Sequence, residues 1–152
     1  MLRLIDSRIA GVDILAPTGL ASLFFRMHDS TIMLPAFVMG GGVQRCLEYA
    51  IGLASSTEVP MFIDEIENGL HHSTLESIWA WISAVTKKRN IQLFVTTHSE
   101  ECIQAASKAF ASASDDGLRV IRIDKKDNHT SATVYTRDLI EAAEQMDVEI
   151  RG

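Results

Sequence analysis

Only two cysteines, Cys46 and Cys102, occur in 152 residues. Two thiols cannot staple a fold through a disulfide framework, and a reducing cytoplasm is the simplest home for such a chain. No apolar run approaches the roughly 20 residues that cross a bilayer, and no signal-peptide pattern follows Met1, so neither a membrane span nor export is expected. Positive charge is scarce as well. Lys and Arg number 14 against 20 Asp and Glu, leaving a net charge of −6 and a pI near 5.3. Broad nucleic-acid-binding faces are basic, so this balance argues against one while permitting a local basic patch. There is no Gly-Lys pair anywhere, and therefore no loop of the form GxxxxGK[ST]. What remains is ordinary for a globular chain, 47% hydrophobic and 22% charged, in a length that suits one domain over residues 1–152.

Along the chain, residues 1–38 read as a β-rich lead-in. Leu2, Leu4, Ile9, Val12 and Ile14 alternate with polar or small residues, Gly11, Pro17 and Gly19 punctuate them, and Leu23-Phe24-Phe25 and Ile32-Met33-Leu34 add short apolar runs. Residues 39–112 form the core of the reading. After Gly40-Gly41-Gly42, the positions Val43, Cys46, Leu47, Ala50, Ile51 and Ala54 make one stripe of an amphipathic helix. Val59–Ile63 is a short apolar run expected as a buried strand, with Pro60 at its first position, where no ladder bond is lost. A second helix is expected to start near Ser73, with Glu76 completing a capping box. Its buried stripe is Leu75, Ile78, Trp79, Ile82 and Val85, and Lys87-Lys88-Arg89 suits the dipole of its last turn. Ile91–Val95 is the next strand, and a third helix runs over 100–112. Strand, helix, strand, helix with apolar strands predicts an α/β fold whose parallel sheet is flanked by helices and covered on both faces. Residues 113–152 predict a small β-hairpin from 118–123 and 132–136, around Lys126–His129, and a last helix over 138–146.

Three pieces of this chain carry chemistry. In Met61-Phe62-Ile63-Asp64-Glu65, an apolar strand delivers two adjacent carboxylates to its C-terminal end, where ligands bind in open α/β sheets. This is the Walker B arrangement. The first acid holds Mg²⁺, a hard cation that keeps several waters, and the second orients or deprotonates an attacking water. An acidic pair at such a place also serves simply to cap a strand and open a turn. The neighbouring strand ends in Thr96-Thr97-His98-Ser99, which places His98 at the matching end, 34 residues after Asp64, able to bond a terminal phosphate or position the same water. The third piece is Gly40-Gly41-Gly42 ahead of a helix, with Gln44 and Arg45 following. Free backbone N–H groups at a helix N-terminus make a phosphate site, although three glycines also serve as a hinge or tight turn.

Together these residues resemble the C-terminal lobe of ABC-type ATPase domains, and most nearly the AAA-type RecF/OLD-like branch, which includes ATPases of bacterial defence systems. The order of signature loop, Walker B with catalytic glutamate, D-loop and switch histidine is matched over residues 39–101. Asp64-Glu65-Ile66-Glu67-Asn68-Gly69-Leu70-His71 is similar to that branch's acidic pair and D-loop, and Asp147-Val148-Glu149-Ile150-Arg151 to the C-terminus of such proteins. The resemblance implies a partial P-loop NTPase fold and ATP and Mg²⁺ as cofactors. It makes Asp64 the Mg²⁺ ligand, Glu65 the general base or water-orienting residue, and His98 the γ-phosphate switch. Gly69, Leu70 and His71 become the D-loop at a dimer interface, and Gly40, Gly41 and Gly42, with Gln44 and Arg45 beside them, approach ATP held by an opposing subunit. Two departures stand out. Glycine occupies the place where the signature usually offers a serine, and the Walker A loop is missing. Without its lysine and backbone cradle the γ-phosphate loses most of its positioning, which is nearly all of the catalysis in phosphoryl transfer.

The resemblance therefore implies an ATPase component that works as a homodimer or with a Walker A-bearing lobe, inactive alone, passing motion to an effector. A non-catalytic interaction or dimerisation module is a second reading, and the ATPase part of a nuclease or defence system a third. The remaining polar motifs carry less. His71-His72 lacks the ligands that complete a tetrahedral zinc site. Cys46 and Cys102 read as buried small hydrophobes. Trp79 falls on the core stripe of its helix and Trp81 at the stripe's edge or an interface. Lys87-Lys88-Arg89 reads as a solvated helix end before a nucleic-acid contact.

Overall fold

The computed structural model describes residues 1–56, 59–127, 129–146 and 150. Leu2 and Ile5 stand three apart, and both pack against two apolar clusters at once. The chain therefore opens with one helical turn, α1 (Leu2–Ile5), where an extended run was expected. The rest of the lead-in is β as expected. Strands β1 (Ile9–Leu15), β2 (Ser22–Met27) and β3 (Leu34–Pro35) form an antiparallel sheet in that order. Gly19, at φ +85°, closes the turn between the first two, its N–H donating to the Ala16 carbonyl at 3.1 Å.

After a 3₁₀ turn at Ala36–Val38 comes α2 (Gly41–Ser55). Its burial differs from the single stripe expected. Val43 and Leu47 pack beneath the antiparallel sheet with Ile9, Phe25 and Met27. Cys46, Tyr49 and Leu53 enter the main core with Ile63, Ile66, Leu75, Ile78 and Ile82. Ile51 and Ala54 are exposed. A helix wedged between two apolar clusters buries two narrow faces, and the pattern of one face does not describe it.

The centre is a parallel pair. Strand β4 (Met61–Ile63) leads through α3 (His72–Arg89) to β5 (Leu93–Val95), with Met61 opposite Leu93, Phe62 opposite Phe94 and Ile63 opposite Val95. Val59 and Pro60 lie outside the strand and are exposed. The expectation of a sheet covered on both faces is met on one face alone among the described residues. Met61, Ile63, Leu93 and Val95 face the main core. Phe62, 72% exposed, and Phe94, 42% exposed, stack on the other face with ring centroids 5.1 Å apart. Helix α3 buries Leu75, Ile78, Trp79 and Ile82 as expected, but it starts at His72. His71, whose ring nitrogen accepts from the Ser73 N–H at 3.3 Å, takes the capping role expected of Ser73 and Glu76. Its basic last turn is engaged within the molecule: Arg89 donates to the Ala54 carbonyl at 2.8 Å, and Lys87 lies 4.0 Å from Asp115.

Helix α4 (Glu100–Ser112) follows β5, capped by the Ser99 hydroxyl. Strands β6 (Arg119–Lys126) and β7 (His129–Thr136) form the expected hairpin, and α5 (Arg137–Gln145) closes back onto it. Ile140 and Ala143 are buried there against Leu118, Val120 and Tyr135. Of the tail expected to resemble a family C-terminus, only Ile150 lies among the described residues, and it is buried. No described helix is long and apolar enough to cross a membrane.

Both cysteines are fully buried. Cys102 accepts a hydrogen bond from the Trp79 indole at 3.4 Å. Burial pushes the Cys46 thiol up from its ordinary value of 9.0 to about 11. Alkylation of the native chain at pH 8 is therefore expected to run at least about tenfold slower than in denaturant, because the thiolate is the reactive form. The raised value also sets a sign for stability. The contribution of Cys46 is intact below about pH 9 and is lost as the pH climbs through about 11, because the unfolded thiol ionises first. Equal alkylation rates with and without denaturant would contradict this placement.

Candidate functional site

Because β4 and β5 are parallel and in register, their C-terminal ends open on the same edge of the sheet, the edge at which such sheets bind ligands. Asp64 and Glu65 follow β4, and Thr96, Thr97 and His98 follow β5. Thr96 stitches the two exits together. Its N–H donates to the Ile63 carbonyl at 2.9 Å and its carbonyl accepts from Ile66 at 3.2 Å. Its hydroxyl accepts from the Glu65 N–H at 2.9 Å and donates to an Asp64 carboxylate oxygen. One threonine thus holds the Asp64 carboxylate and the Glu65 backbone.

Glu65 has φ +46°, a left-handed conformation that costs a residue with a Cβ about 1–2 kcal/mol. The turn it makes drives Ile66, 1% exposed, back into the core. Tyr49 locks that turn from α2, its hydroxyl donating to the Ile66 carbonyl at 2.9 Å. Burial raises the Tyr49 phenol above its ordinary value, so it stays a donor. The Asn68 amide donates to the Glu65 carboxylate at 3.1 Å. Glu67 accepts from the His98 N–H at 3.0 Å through Oε1, while its Oε2 is buried with no hydrogen-bond partner among the described residues. An unsatisfied buried oxygen costs about 1–3 kcal/mol. His98 itself is exposed, just before Ser99 begins α4.

The glycine segment reaches the same place. A Cβ on Gly42 would stand 3.1 Å from the Gly69 carbonyl, so glycine there lets the α2 N-terminus and the loop after β4 approach closely without either giving way. Arg45 donates to the Asp64 carbonyl at 3.3 Å and to the Tyr49 hydroxyl at 3.0 Å, and pairs with Glu48 at 3.2 Å. Gly41, Gln44, Arg45, Glu48, Asn68 and Gly69 line a depression of about 310 Å³. A larger cavity, about 490 Å³, opens on another flank of the same helix end beside Gly40, Val43, Asp6 and Arg8. Neither is lined by Asp64, Glu65 or His98; the smaller depression adjoins the rim through Arg45 and Asn68, which bond the Asp64 carbonyl and the Glu65 carboxylate.

Asp64, Glu65 and His98 therefore share one rim, with Gly41, Gly42 and Arg45 against it. Four expected residues are placed otherwise. Gly40, just before α2, borders the larger cavity and not the depression at the rim. Gln44 spends its amide on the preceding turn, donating to the Met39 carbonyl at 2.6 Å. Leu70 packs against the main core. His71 caps α3 and lies against His72, ring centroids 4.1 Å apart. Thr96, Tyr49 and Glu67 had no expected role. Only Thr96 was open to discovery, as the residue one step past the Ile63–Val95 pair and so opposite Asp64. Among the described residues no group of three or more His, Cys, Asp and Glu side chains is arranged as a metal cage. The donor set at the rim, an exposed Asp64 carboxylate oriented by a hydroxyl, fits a hard cation that keeps its waters and shares them with a phosphate.

This α/β architecture is the P-loop ATPase fold of SMC and ABC type. A chain from work on ATP-driven dimerization and DNA-stimulated activation of SMC ATPases superposes with a TM-score of 0.61 at 12% identity, over 99% of this chain and 89% of that one. An Smc head domain derived from Pyrococcus furiosus, solved with the C-terminal domain of ScpA, gives 0.61 at 13% identity, over 96% of this chain and 35% of that one. Residues 3–103 match the family described as AAA domain, putative AbiEii toxin, Type IV TA system, and the chain belongs to this AAA-type ATPase family. An ATP/GTP phosphatase of Helicobacter pylori is 31% identical over 85 residues, 54% of this chain and 23% of that protein. ABC transporter A family member 7 of Dictyostelium discoideum is 32% identical over 83 residues, 55% of this chain and 10% of that protein. The chain thus spans a quarter or less of the curated relatives it matches.

Proposed function

We propose that this chain is the Walker B and signature lobe of an ABC-like ATPase head, nearest the RecF/OLD-like branch, and that it hydrolyses ATP when a lobe bearing a Walker A loop completes it. The observation that carries the reading is the arrival of Asp64, Glu65 and His98 at the C-terminal edge of two register-paired parallel strands. Asp64 would hold Mg²⁺, which when bound spreads the charge developing across the transferred phosphate. Glu65 receives the proton of the attacking water or orients that water, with Asn68 fixing its carboxylate. His98 holds a terminal phosphate oxygen. Gly41 and Gly42, at the open N-terminus of α2, offer backbone donors to a phosphate held by an opposing subunit. ATP would thus join two heads, as the SMC ATPase neighbour's ATP-driven dimerization suggests.

Completion by a further lobe is supported by the sequence, which contains no Gly-Lys pair, and by the bare Phe62–Phe94 face. A parallel sheet is stable with both faces covered, and two strands alone make a poor sheet. The test is phosphate release from ATP and Mg²⁺. It is measured for the chain alone, then together with a GxxxxGK[ST]-bearing segment encoded in the same reading frame or beside it. Background release alone and at least about tenfold more in combination is expected. Background release in both leaves the non-catalytic interaction module as the reading.

A further inference from the structure

One acidic group at the rim has no task in that scheme. Glu67 follows buried Ile66 and keeps one carboxylate oxygen out of water with no partner for it among the described residues. A carboxylate taken from water without a full set of donors is disfavoured, so stability alone does not account for this side chain. The bond that it does make falls at a particular point. Ladder pairing ends where Thr96 donates to Ile63, and α4 starts after Ser99. His98 therefore lies on a short link between two rigid elements, and its N–H is taken by the Glu67 carboxylate at 3.0 Å. The orientation of that peptide sets the Cα–Cβ direction of His98, and so where its imidazole is carried.

We propose that Glu67 is the positioning residue for His98: it hangs the end of β5 from the loop after β4 and so aims the histidine along the rim that holds Asp64 and Glu65. This deepens the ATPase reading and rests on it for the role of His98. The hydrogen bond itself stands independently of that reading. The neighbouring residues of the loop share the design. Asn68 holds the Glu65 carboxylate, and the Gly69 carbonyl sits against Gly42, so residues 67–69 hold the histidine, the acid and the α2 N-terminus in one rigid turn.

Amide hydrogen exchange of the 152-residue chain, read at His98 by NMR, tests this with Glu67→Ala and Glu67→Gln. Gln keeps an oxygen acceptor where Ala has none. His98 exchange is expected to accelerate at least about tenfold in E67A and to stay within about threefold of the parent in E67Q, with the Ile78 and Ile82 amides of α3 unchanged in both. Unchanged His98 exchange in E67A overturns the proposal. So does equal acceleration in E67Q, which would assign the effect to charge. Should E67A lose protection in α3 as well, Glu67→Asp carries the same expectation as Ala, because it retracts the oxygen while keeping the charge. In the ATP-hydrolysing assembly, E67A is expected to lower kcat about five- to tenfold with KM for ATP within twofold, to be rescued by E67Q, and to add nothing on a His98→Ala background. An unchanged kcat in His98→Ala would remove the histidine from the ATPase reading, and the exchange measurement would still decide the role of Glu67.

Discussion

Replacing Glu65 with Gln is expected to cut ATP turnover in the completed head by at least about 100-fold, within the 10²–10⁴-fold range of a lost general base. ATP binding is expected to remain or tighten. Gln has the size of Glu and can still accept the Asn68 bond through its carbonyl oxygen, so the rim keeps its shape. What disappears is a lone pair basic enough to take a proton from water, together with one negative charge facing a polyanion. The ATP-bound, associated form should therefore accumulate, visible by light scattering as a nucleotide-dependent rise in mass. Turnover of E65Q within about threefold of the parent would remove Glu65 from the chemistry. A companion variant separates chemistry from strain. Glu65 holds φ +46°, where glycine avoids the steric cost of a Cβ, so Glu65→Gly should be as inactive as Gln. Its stability should equal the parent's or exceed it by up to about 1 kcal/mol.

Ile66→Ala should produce the largest loss of stability, about 2–5 kcal/mol in urea or guanidinium unfolding. Ile66 is 1% exposed and packs with Tyr49, Ile63, Leu75 and Ile78 in the main core. Its N–H and carbonyl are bonded to Thr96 and Tyr49. It is the anchor against which the strained Glu65 turn is held, so truncating it empties a core site and releases the rim together. Ile51→Ala on exposed α2 surface is the control, expected to change stability by less than about 0.5 kcal/mol. A cost below about 1 kcal/mol for Ile66→Ala would mean that the turn after β4 is not docked as described.

Helices α2 and α3 differ in how many apolar clusters their faces meet. The stripe of α3 is buried on one side, by one core, and the period of 3.6 recovers Leu75, Ile78, Trp79 and Ile82. Helix α2 lies between two clusters. Its buried residues divide between Val43 and Leu47 on one side and Cys46, Tyr49 and Leu53 on the other, so a single stripe assigned Ile51 and Ala54 wrongly to the interior. The cap of α3 misled for a related reason. Ser73 followed by Glu76 fits a capping box, yet the His71 ring reaches the Ser73 N–H first, a competition that spacing does not record.

The same division runs through the site. The positions of Asp64, Glu65 and His98 were legible because the two acids follow one apolar run directly and the histidine lies three residues past the next, and in a parallel βαβ unit the ends of consecutive strands meet at one edge. Thr96, Tyr49 and Glu67 were not, because their roles are hydrogen bonds between residues 17 to 32 positions apart.

The sequence by itself determined the order of elements from α2 onward, the acids and histidine beyond the strand ends, and the absence of a Gly-Lys pair. These are local properties, set by apolar periodicity and residue chemistry along the chain. Only the tertiary structure decided that one threonine holds the Asp64 carboxylate and the Glu65 backbone, that Glu65 sits in a left-handed turn held by Ile66 and Tyr49, and that the Phe62–Phe94 face is left uncovered by the described residues. Those depend on which surfaces meet when strands pair and helices pack, and a periodicity of 2 or 3.6 identifies an apolar face without saying what covers it.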